Sequence, residues 1–279
     1  MPAEDLRLSD IRVFLDSGKS LEVSREVLPD DAMYAYSADL YFKAGPVALR
    51  CIYMALLAAR RTDVRNILDF ASGGGRIMRY LRAAFPDADI TACDLYTAGI
   101  NFCAKEFGAK AIQGFIDIDK IPFEGPYDLI WVGSLFTHLG EVDWDKMLTR
   151  FQDLLSPDGV LVFTVYGRTI AHLVRSGQIT LDLKKEHVDQ FVRDYDERGF
   201  AFFGDLVPDV GHGDAMAKRS WTAAKLDEYP QLRLLWYMEN AWLNQDVVAC
   251  AKTSVHTTGG GAPPATEAEQ PAIVCASAR

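Results

Sequence analysis

The 279-residue sequence lacks several features that would point to a metal site, a disulfide framework or a membrane. Its five cysteines include no C-x-x-C pair and no histidine at zinc-ligand spacing. The longest apolar stretch, residues 44–59, is interrupted by Arg50 and is too short to span a bilayer. The acidic start at Glu4 and Asp5 is unlike a signal peptide. These absences predict a cytoplasmic protein with reduced cysteines, no bound metal and no membrane partner.

Basic charge is also scarce. The chain has 29 Lys and Arg residues against 39 Asp and Glu residues, which gives a net charge of −10 at pH 7. Nucleic acids bind basic patches, so a nucleic-acid partner is not expected. Apolar residues make up 49 % of the chain, enough for a sizeable core. The expected partner is a small molecule, and the oligomeric state stays open, with a homodimer as one option.

Apolar runs of strand length alternate with helical patterns through the middle of the chain, which indicates a parallel sheet with helical crossovers. Strands are predicted over 66–70, 89–93, 111–115, 127–132, 160–166, 232–238 and 246–252. Helices are predicted over 46–60, 75–85, 98–107, 144–155 and 184–198. Pro46 suits a first helical turn, and the segment 156–159 reads as a turn.

The most informative segment runs from Ile67 to Arg76. An apolar run ends in Asp69, a glycine-rich turn follows, and a second apolar run ends in Asp94. Two acids at the carboxyl ends of neighbouring parallel strands outline a nucleoside site. The third glycine of a dinucleotide fingerprint is replaced by Met78, and Asp69 would repel a phosphate. The site therefore suits a nucleoside that carries a positive charge.

These residues resemble the first motif of the class I S-adenosylmethionine-dependent methyltransferases, with Ala71 in place of the first glycine. The resemblance extends from about Val64 to Gly167 and is closest to the small-molecule branch of the family. It implies a Rossmann-like α/β fold with a seven-stranded, mostly parallel sheet, helices on both faces and an antiparallel last strand. It also implies S-adenosylmethionine as the cofactor and methyl transfer to a small molecule, with a hydroxyl oxygen in natural-product or glycan biosynthesis as the expected acceptor.

The resemblance assigns the first group of cofactor residues. Asp69 and the turn of Ala71, Gly73 and Gly75 would hold the methionine end, with Asp69 facing the amino group. Asp94 would accept hydrogen bonds from the ribose hydroxyls. A helix cap is the alternative role for Asp94, because a helical pattern begins a few residues later.

The adenine end follows the second and third strands. Leu95 would pack on the adenine ring. Asp117 would accept from the adenine amino group, with Ile118 against the ring. Asp119 competes with Asp117 for this role, and loop acids facing solvent are the alternative reading.

The fourth strand ends near the expected reaction centre. Gly133 and Ser134 would line the methionine side of the cofactor. His138 is the candidate general base, because an imidazole can take a proton near neutral pH. Its alternative role is to cap the next helix or to fill a polar position.

Three regions are predicted. Residues 1–62 form an N-terminal helical segment that covers the site, and 63–252 form the cofactor-binding domain with a substrate-side insertion at 167–231. Residues 253–279 are rich in glycine, proline and small residues and are expected to be disordered. Two rival functions remain: an NAD(P)-dependent oxidoreductase, and a non-catalytic nucleoside-binding member of the fold.

Overall fold

The computed structural model describes residues 21–181, 183–207 and 212–253. The segment 254–279, which makes up nearly all of the predicted tail, lies outside the described residues, as do the first 20 residues of the N-terminal segment.

Seven strands form one sheet in the order β3-β2-β1-β4-β5-β9-β8, and β6 pairs with β7 in a separate hairpin. Within the described ranges the strands are β1 Asn66–Phe70, β2 Asp89–Asp94, β3 Lys110–Gln113, β4 Tyr127–Val132, β5 Leu155–Val165, β6 Phe200–Val207, β7 His212–Ala217, β8 Leu232–Trp242 and β9 Gln245–Lys252.

The sheet is parallel from β3 to β5, and β9 is antiparallel to both of its neighbours. Phe70 at the end of β1 lies opposite Cys93 on β2 and Val132 on β4. The carboxyl ends of these three strands therefore meet at one edge of the sheet. The predicted α/β class, the seven strands and the antiparallel last strand are all confirmed.

Helices cover both faces of the sheet. They are α1 Ala32–Tyr36, α2 Ala38–Ala59, α3 Met78–Ala84, α4 Thr97–Phe107, α5 Glu141–Leu154, α6 Arg168–Arg175, α7 Lys185–Arg198 and α8 Arg219–Asp227, with single 3₁₀ turns at Ile118–Lys120 and Phe136–His138. Alternate residues of each central strand enter different cores. Ile67 packs with α2, α3 and α4, whereas Leu68 packs with α5 on the other face.

Helix α2 begins earlier than predicted, and Pro46 lies inside it rather than in its first turn. The Ser37 side chain accepts from the Leu40 N–H and caps the start. Proline cannot donate to the carbonyl four residues earlier, that of Phe42. The Tyr80 hydroxyl donates to this Phe42 oxygen at 2.7 Å instead. This tertiary hydrogen bond allows the helix to continue through the proline.

Helix α2 is long and apolar enough to cross a membrane by length and composition. Half of its most apolar window is buried inside the protein. Ala48, Leu49 and Ile52 are fully buried against the sheet and α3. The helix thus has the packing of a core element.

Other boundaries also differ from the predictions, and those of β5 and β3 differ in ways that matter for the sheet and the site. Strand β5 begins at Leu155, opposite Tyr127, and the predicted turn 156–159 forms a bulge within it, with Asp158 at a φ of 59°. Strand β3 ends at Gln113 rather than at residue 115. The second difference moves the residues that reach the adenine side of the predicted site.

The segment 167–231 contains α6, α7, α8 and the β6–β7 hairpin. The sequence patterns predicted α7 but not α6, α8 or the hairpin. Residues from α6, α7 and the hairpin form a small core of their own around Phe191, Tyr195 and Met216. The Ala217 N–H donates to the Tyr166 carbonyl at 2.9 Å, which anchors the hairpin at the end of β5.

Candidate functional site

A cavity of about 500 Å³ opens at the carboxyl ends of β1, β2 and β4. Its size and its mixture of apolar walls with a few polar groups are typical of a small-molecule site. Of the predicted site residues, eight line it: Asp69, Ala71, Gly73, Asp94, Leu95, Gly133, Ser134 and His138.

The turn after β1 has three residues in the left-handed region, Ala71, Gly73 and Gly75. Ala71, with a φ of 61°, carries a Cβ there, which costs about 1 kcal/mol relative to glycine. A Cβ on Gly73 would meet nothing within 4 Å, whereas a Cβ on Gly75 would lie 2.5 Å from the Phe107 ring. Gly73 thus leaves room beside the cavity, and Gly75 allows α4 to pack closely.

Asp94 connects the turn to the next helix. One carboxylate oxygen accepts from the Gly73 N–H and the other from the Tyr96 N–H, both at 2.8 Å. The second bond supports the start of α4, which is the helix-cap role given as the alternative for Asp94. A carboxylate has about four acceptor positions, so two remain for ribose hydroxyls. The two roles of Asp94 are compatible.

The Asp69 carboxyl group in the cavity has a pKa raised above its usual range. Its side chain is buried, and among the described residues its Oδ2 atom has no hydrogen-bond partner. Burial, and then repulsion from Asp94, raise its pKa to about 8, and Arg76 opposes the shift. A buried acceptor without a partner fits a ligand that brings a positive charge and a donor.

Arg76 was missed as a site residue, whereas the N-terminal segment was expected to cover the site. The Arg76 guanidinium lies over the Trp242 ring, 5.1 Å from its centroid, and lines the cavity. Tyr41 lines it too, and its hydroxyl donates to Asp31 at 3.2 Å. The position of Arg76 directly after the glycine turn was the available sequence signal for it.

Arg79 holds the N-terminal segment onto this turn. It is almost fully buried, and it donates to the carbonyls of Ser24 and Glu26 at 2.7 and 2.9 Å. It also donates to the Tyr41 hydroxyl at 3.2 Å and to the Gly75 carbonyl. One arginine thus ties the segment before α1 to the wall of the cavity.

Asp117 and Ile118, predicted for the adenine end, do not line the cavity. The Asp117 carboxylate accepts from the Asp119 N–H, and Ile118 is buried in the core on the α5 face. Because β3 ends early, Phe115 and Ile116 line the cavity instead. Together with Leu95 they are exposed apolar side chains at its rim.

Ser134 is held by a buried polar network in the left-handed region, at a φ of 61°. Its N–H donates to Thr164 Oγ1 at 2.7 Å, and this hydroxyl donates to Gln245 at 2.6 Å. Gln245 Nε2 in turn donates to Ser134 Oγ at 2.8 Å. Strands β5 and β9 therefore position the loop that follows β4.

His138 lies in the 3₁₀ turn Phe136–His138 and lines the cavity. Its Nδ1 atom is 2.8 Å from the Gly213 carbonyl oxygen and 3.7 Å from Asp214 Oδ1. Helix α5 has Gly140 as its N-cap and no side-chain capping bond. The histidine thus does not cap that helix. In the part of the chain that the structure describes, no group of three or more His, Cys, Asp or Glu residues could hold a metal ion.

The comparisons with known proteins agree with this geometry. Residues 67–159 match a family profile described as a methyltransferase domain. The malonyl-[acyl-carrier protein] O-methyltransferase of Halalkalibacterium halodurans is 28% identical over 146 residues, which are 48% of this chain and 53% of that protein. The chain spans about half the length of the curated relatives it matches.

Two solved structures share the fold. One is an S-adenosylmethionine-dependent methyltransferase from Clostridium acetobutylicum, with a TM-score of 0.54, 14% identity, and coverage of 80% of this chain and 97% of that one. The other is CalS10 with S-adenosylmethionine bound, an amino pentose methyltransferase from Micromonospora echinaspora involved in calicheamicin biosynthesis. It has a TM-score of 0.53 and 14% identity, and the match covers 78% of this chain and 97% of that one. Residues 67–159 thus match a methyltransferase domain, and the chain has the fold of S-adenosylmethionine-dependent methyltransferases.

Proposed function

We propose that the protein transfers the methyl group of S-adenosylmethionine to a hydroxyl oxygen of a small natural-product or glycan-type molecule. The observation that carries the proposal is the buried Asp69 carboxyl group, whose Oδ2 atom has no partner among the described residues, in the same cavity as Asp94 and His138. These three groups match a cationic cofactor, its ribose and a proton acceptor.

The cavity fits both charges of the cofactor's amino-acid end. Asp69 would accept from the ammonium group, and Arg76 would pair with the carboxylate. Asp94 would hold the ribose hydroxyls, while Leu95 and Phe115 would contact the adenine ring. The glycine turn, Gly133 and Ser134 would complete the methionine side.

The cofactor supplies an electrophilic methyl group when it is bound. The chain has to hold the acceptor in line, exclude water and accept a proton. His138 would accept that proton from the acceptor hydroxyl. Leu135 and Leu139, which also line the cavity, would keep water away from the reacting atoms.

The charge of the cavity favours a neutral acceptor. Among the described residues its lining holds five acids, against Arg76 and the titratable His138: Asp30, Asp31, Asp69, Asp94 and Asp143. A carboxylate acceptor would be repelled by this field. The malonyl-[acyl-carrier protein] relatives point to O-methylation, and the acids here favour a hydroxyl group as the oxygen.

The regional organisation supports this proposal. Asp30, Asp31 and Met33 of the segment 1–62 line the cavity, as a covering segment would. Within the described residues, the insertion 167–231 lines none of the cavity, and it reaches the site through its contacts with His138. We propose that the insertion supports the acceptor side indirectly.

Calorimetric titration with S-adenosylmethionine and with NADH tests the cofactor first. Asp94→Ala should weaken S-adenosylmethionine binding at least tenfold, since it removes the ribose acceptor and the bond to Gly73. Asp87→Ala, which changes an exposed acid, is the matched control. Binding of NADH alone would support the oxidoreductase alternative, and binding of neither would overturn the proposal.

A screen of acceptors follows, with S-adenosylhomocysteine release and product mass as readouts. Hydroxyl-bearing phenols and sugars should be methylated in preference to amines and to carboxylates. Transfer to carboxylates alone would contradict the hydroxyl assignment. Binding of S-adenosylmethionine without turnover on any acceptor would favour a non-catalytic member of the fold.

A further inference from the structure

The β6–β7 hairpin of the insertion contacts the candidate base directly. The Gly213 carbonyl oxygen lies 2.8 Å from His138 Nδ1, and Asp214 Oδ1 lies 3.7 Å from the same nitrogen. Asp214 is only 2% exposed. Two consecutive hairpin residues therefore face one edge of the imidazole ring, although they lie more than 70 positions after His138 in the chain.

The Gly213 contact selects one tautomer of the ring. A carbonyl oxygen can only accept a hydrogen bond, so Nδ1 must carry the proton at this distance. In the neutral ring the lone pair then resides on Nε2. An imidazole needs this lone pair to act as a base.

The hairpin is built to hold that carbonyl in place. Gly213 pairs with Gly204 across the hairpin, and a Cβ on Gly213 would lie 2.0 Å from the Phe203 carbonyl oxygen. Only glycine permits this close backbone approach. The β7 end is tied to β5 through the Ala217 N–H and the Tyr166 carbonyl.

We propose that the insertion positions the catalytic base: Gly213 fixes the Nδ1–H tautomer of His138, and Asp214 stabilises the positive charge that the ring acquires. This inference rests on the proposed function. As the acceptor oxygen forms its bond to the methyl carbon, the carbon–sulfur bond breaks and its electron pair stays on sulfur. The acceptor's hydroxyl proton moves to Nε2, and the resulting imidazolium faces the Asp214 carboxylate. Asp214 is a positioning residue, since it acts through His138.

The tautomer can be measured without any acceptor. The intact protein is labelled with ¹⁵N-histidine, and ring-nitrogen spectra are recorded at about pH 8.5, where unperturbed imidazoles are neutral. His138→Gln identifies the His138 signal among the five histidines. The expected pattern is a protonated Nδ1 and an unprotonated Nε2. The opposite pattern, or rapid exchange between the two tautomers, would overturn the proposal even if S-adenosylmethionine binds.

The charge role is tested on an acceptor from the screen. Asp214→Asn should lower kcat about tenfold or more and leave KM and cofactor affinity within twofold, because only the charge that develops during transfer is affected. Asp214→Glu should recover part of kcat. Asp227→Asn, which changes an exposed acid of the same insertion, should leave all three unchanged.

An unchanged kcat in Asp214→Asn, or a parallel loss of cofactor affinity, would contradict the charge role. If Asp214→Asn does not fold, the wild-type tautomer and the kcat of Asp214→Glu still decide the proposal. Failure of cofactor binding by the wild-type protein would instead overturn the proposed function, so the two failures are distinguishable.

Discussion

The Asp69 carboxyl group should make cofactor binding depend on pH. Its pKa is raised to about 8 by burial and by Asp94, so about 0.9 of the molecules carry the proton at pH 7 without cofactor. An ammonium group beside Asp69 would favour the ionised carboxylate. Binding should therefore release about 0.9 proton per cofactor at pH 7.

The magnitude follows from this linkage. If the proton is lost on binding, the affinity for S-adenosylmethionine should rise about ninefold from pH 6 to pH 7. Above about pH 8 the rise should stop, because Asp69 is then ionised and the α-amino group of the cofactor begins to lose its own proton. Asp69→Asn should bind weakly and with little pH dependence, whereas Asp87→Asn should behave like the wild type.

The stability of the cofactor-free protein should fall as pH rises, whereas the affinity for the cofactor rises. The folded-state pKa of Asp69 lies above its model value of 3.8, so its contribution to stability is present at low pH and is lost as pH rises through about 8. Between pH 6 and pH 8 the wild type should lose about 2 kcal/mol relative to Asp69→Asn.

Calorimetry in two buffers of different ionisation enthalpy gives the proton count, and urea unfolding at each pH gives the stability. An affinity that is flat from pH 6 to pH 7, with no buffer-dependent heat, would refute the reasoning. The same conclusion would follow if Asp69→Asn kept the wild-type pH dependence.

Two substitutions test how neighbouring elements support the site. Gly99→Ala should weaken S-adenosylmethionine binding about tenfold or more, because its Cβ would lie 2.4 Å from the Gly73 carbonyl oxygen and would displace the turn. The control is Gly108→Ala, whose Cβ would meet nothing within 4 Å. Because Gly108 has a positive φ, this control should lose about 1 kcal/mol of stability but keep its affinity in the same titration. Tyr80→Phe should lower the free energy of unfolding in urea by about 1–2 kcal/mol, since the Phe42 carbonyl beside the helical proline loses its donor; an unchanged unfolding midpoint would contradict this account.

Most of the central fold could be predicted because its signals are local. Strand β1 has its predicted bounds and contains the first acid, Asp69, and the glycine turn and then Asp94 at the end of β2 follow it as predicted. The backbone at Gly73 and Gly75 has the positive φ values that glycine-rich turns allow. Class, topology and the cavity edge all derive from this pattern.

The adenine side shows where local signals are insufficient. Apolar residues stand on both sides of Gln113 and Gly114, and the predicted strand over 111–115 therefore runs past the observed end of β3 at Gln113. Strand β3 ends there because the Gly114 N–H donates to the Asp94 carbonyl at 2.8 Å, and a Cβ on Gly114 would lie 2.7 Å from the Asp94 carbonyl carbon. This close approach of two strands decides that Phe115, not Asp117, reaches the cavity.

The sequence by itself determined the class of fold and the two acids and the glycine turn that form the cavity edge, and it predicted S-adenosylmethionine as the cofactor. Only the tertiary structure decided that Arg79 ties the N-terminal segment to the glycine turn and that Gly213 and Asp214 face His138. Periodicity and turn chemistry report on residues a few positions apart. Hydrogen bonds between groups more than fifty positions apart depend on how helices and hairpins pack, and therefore have no local pattern.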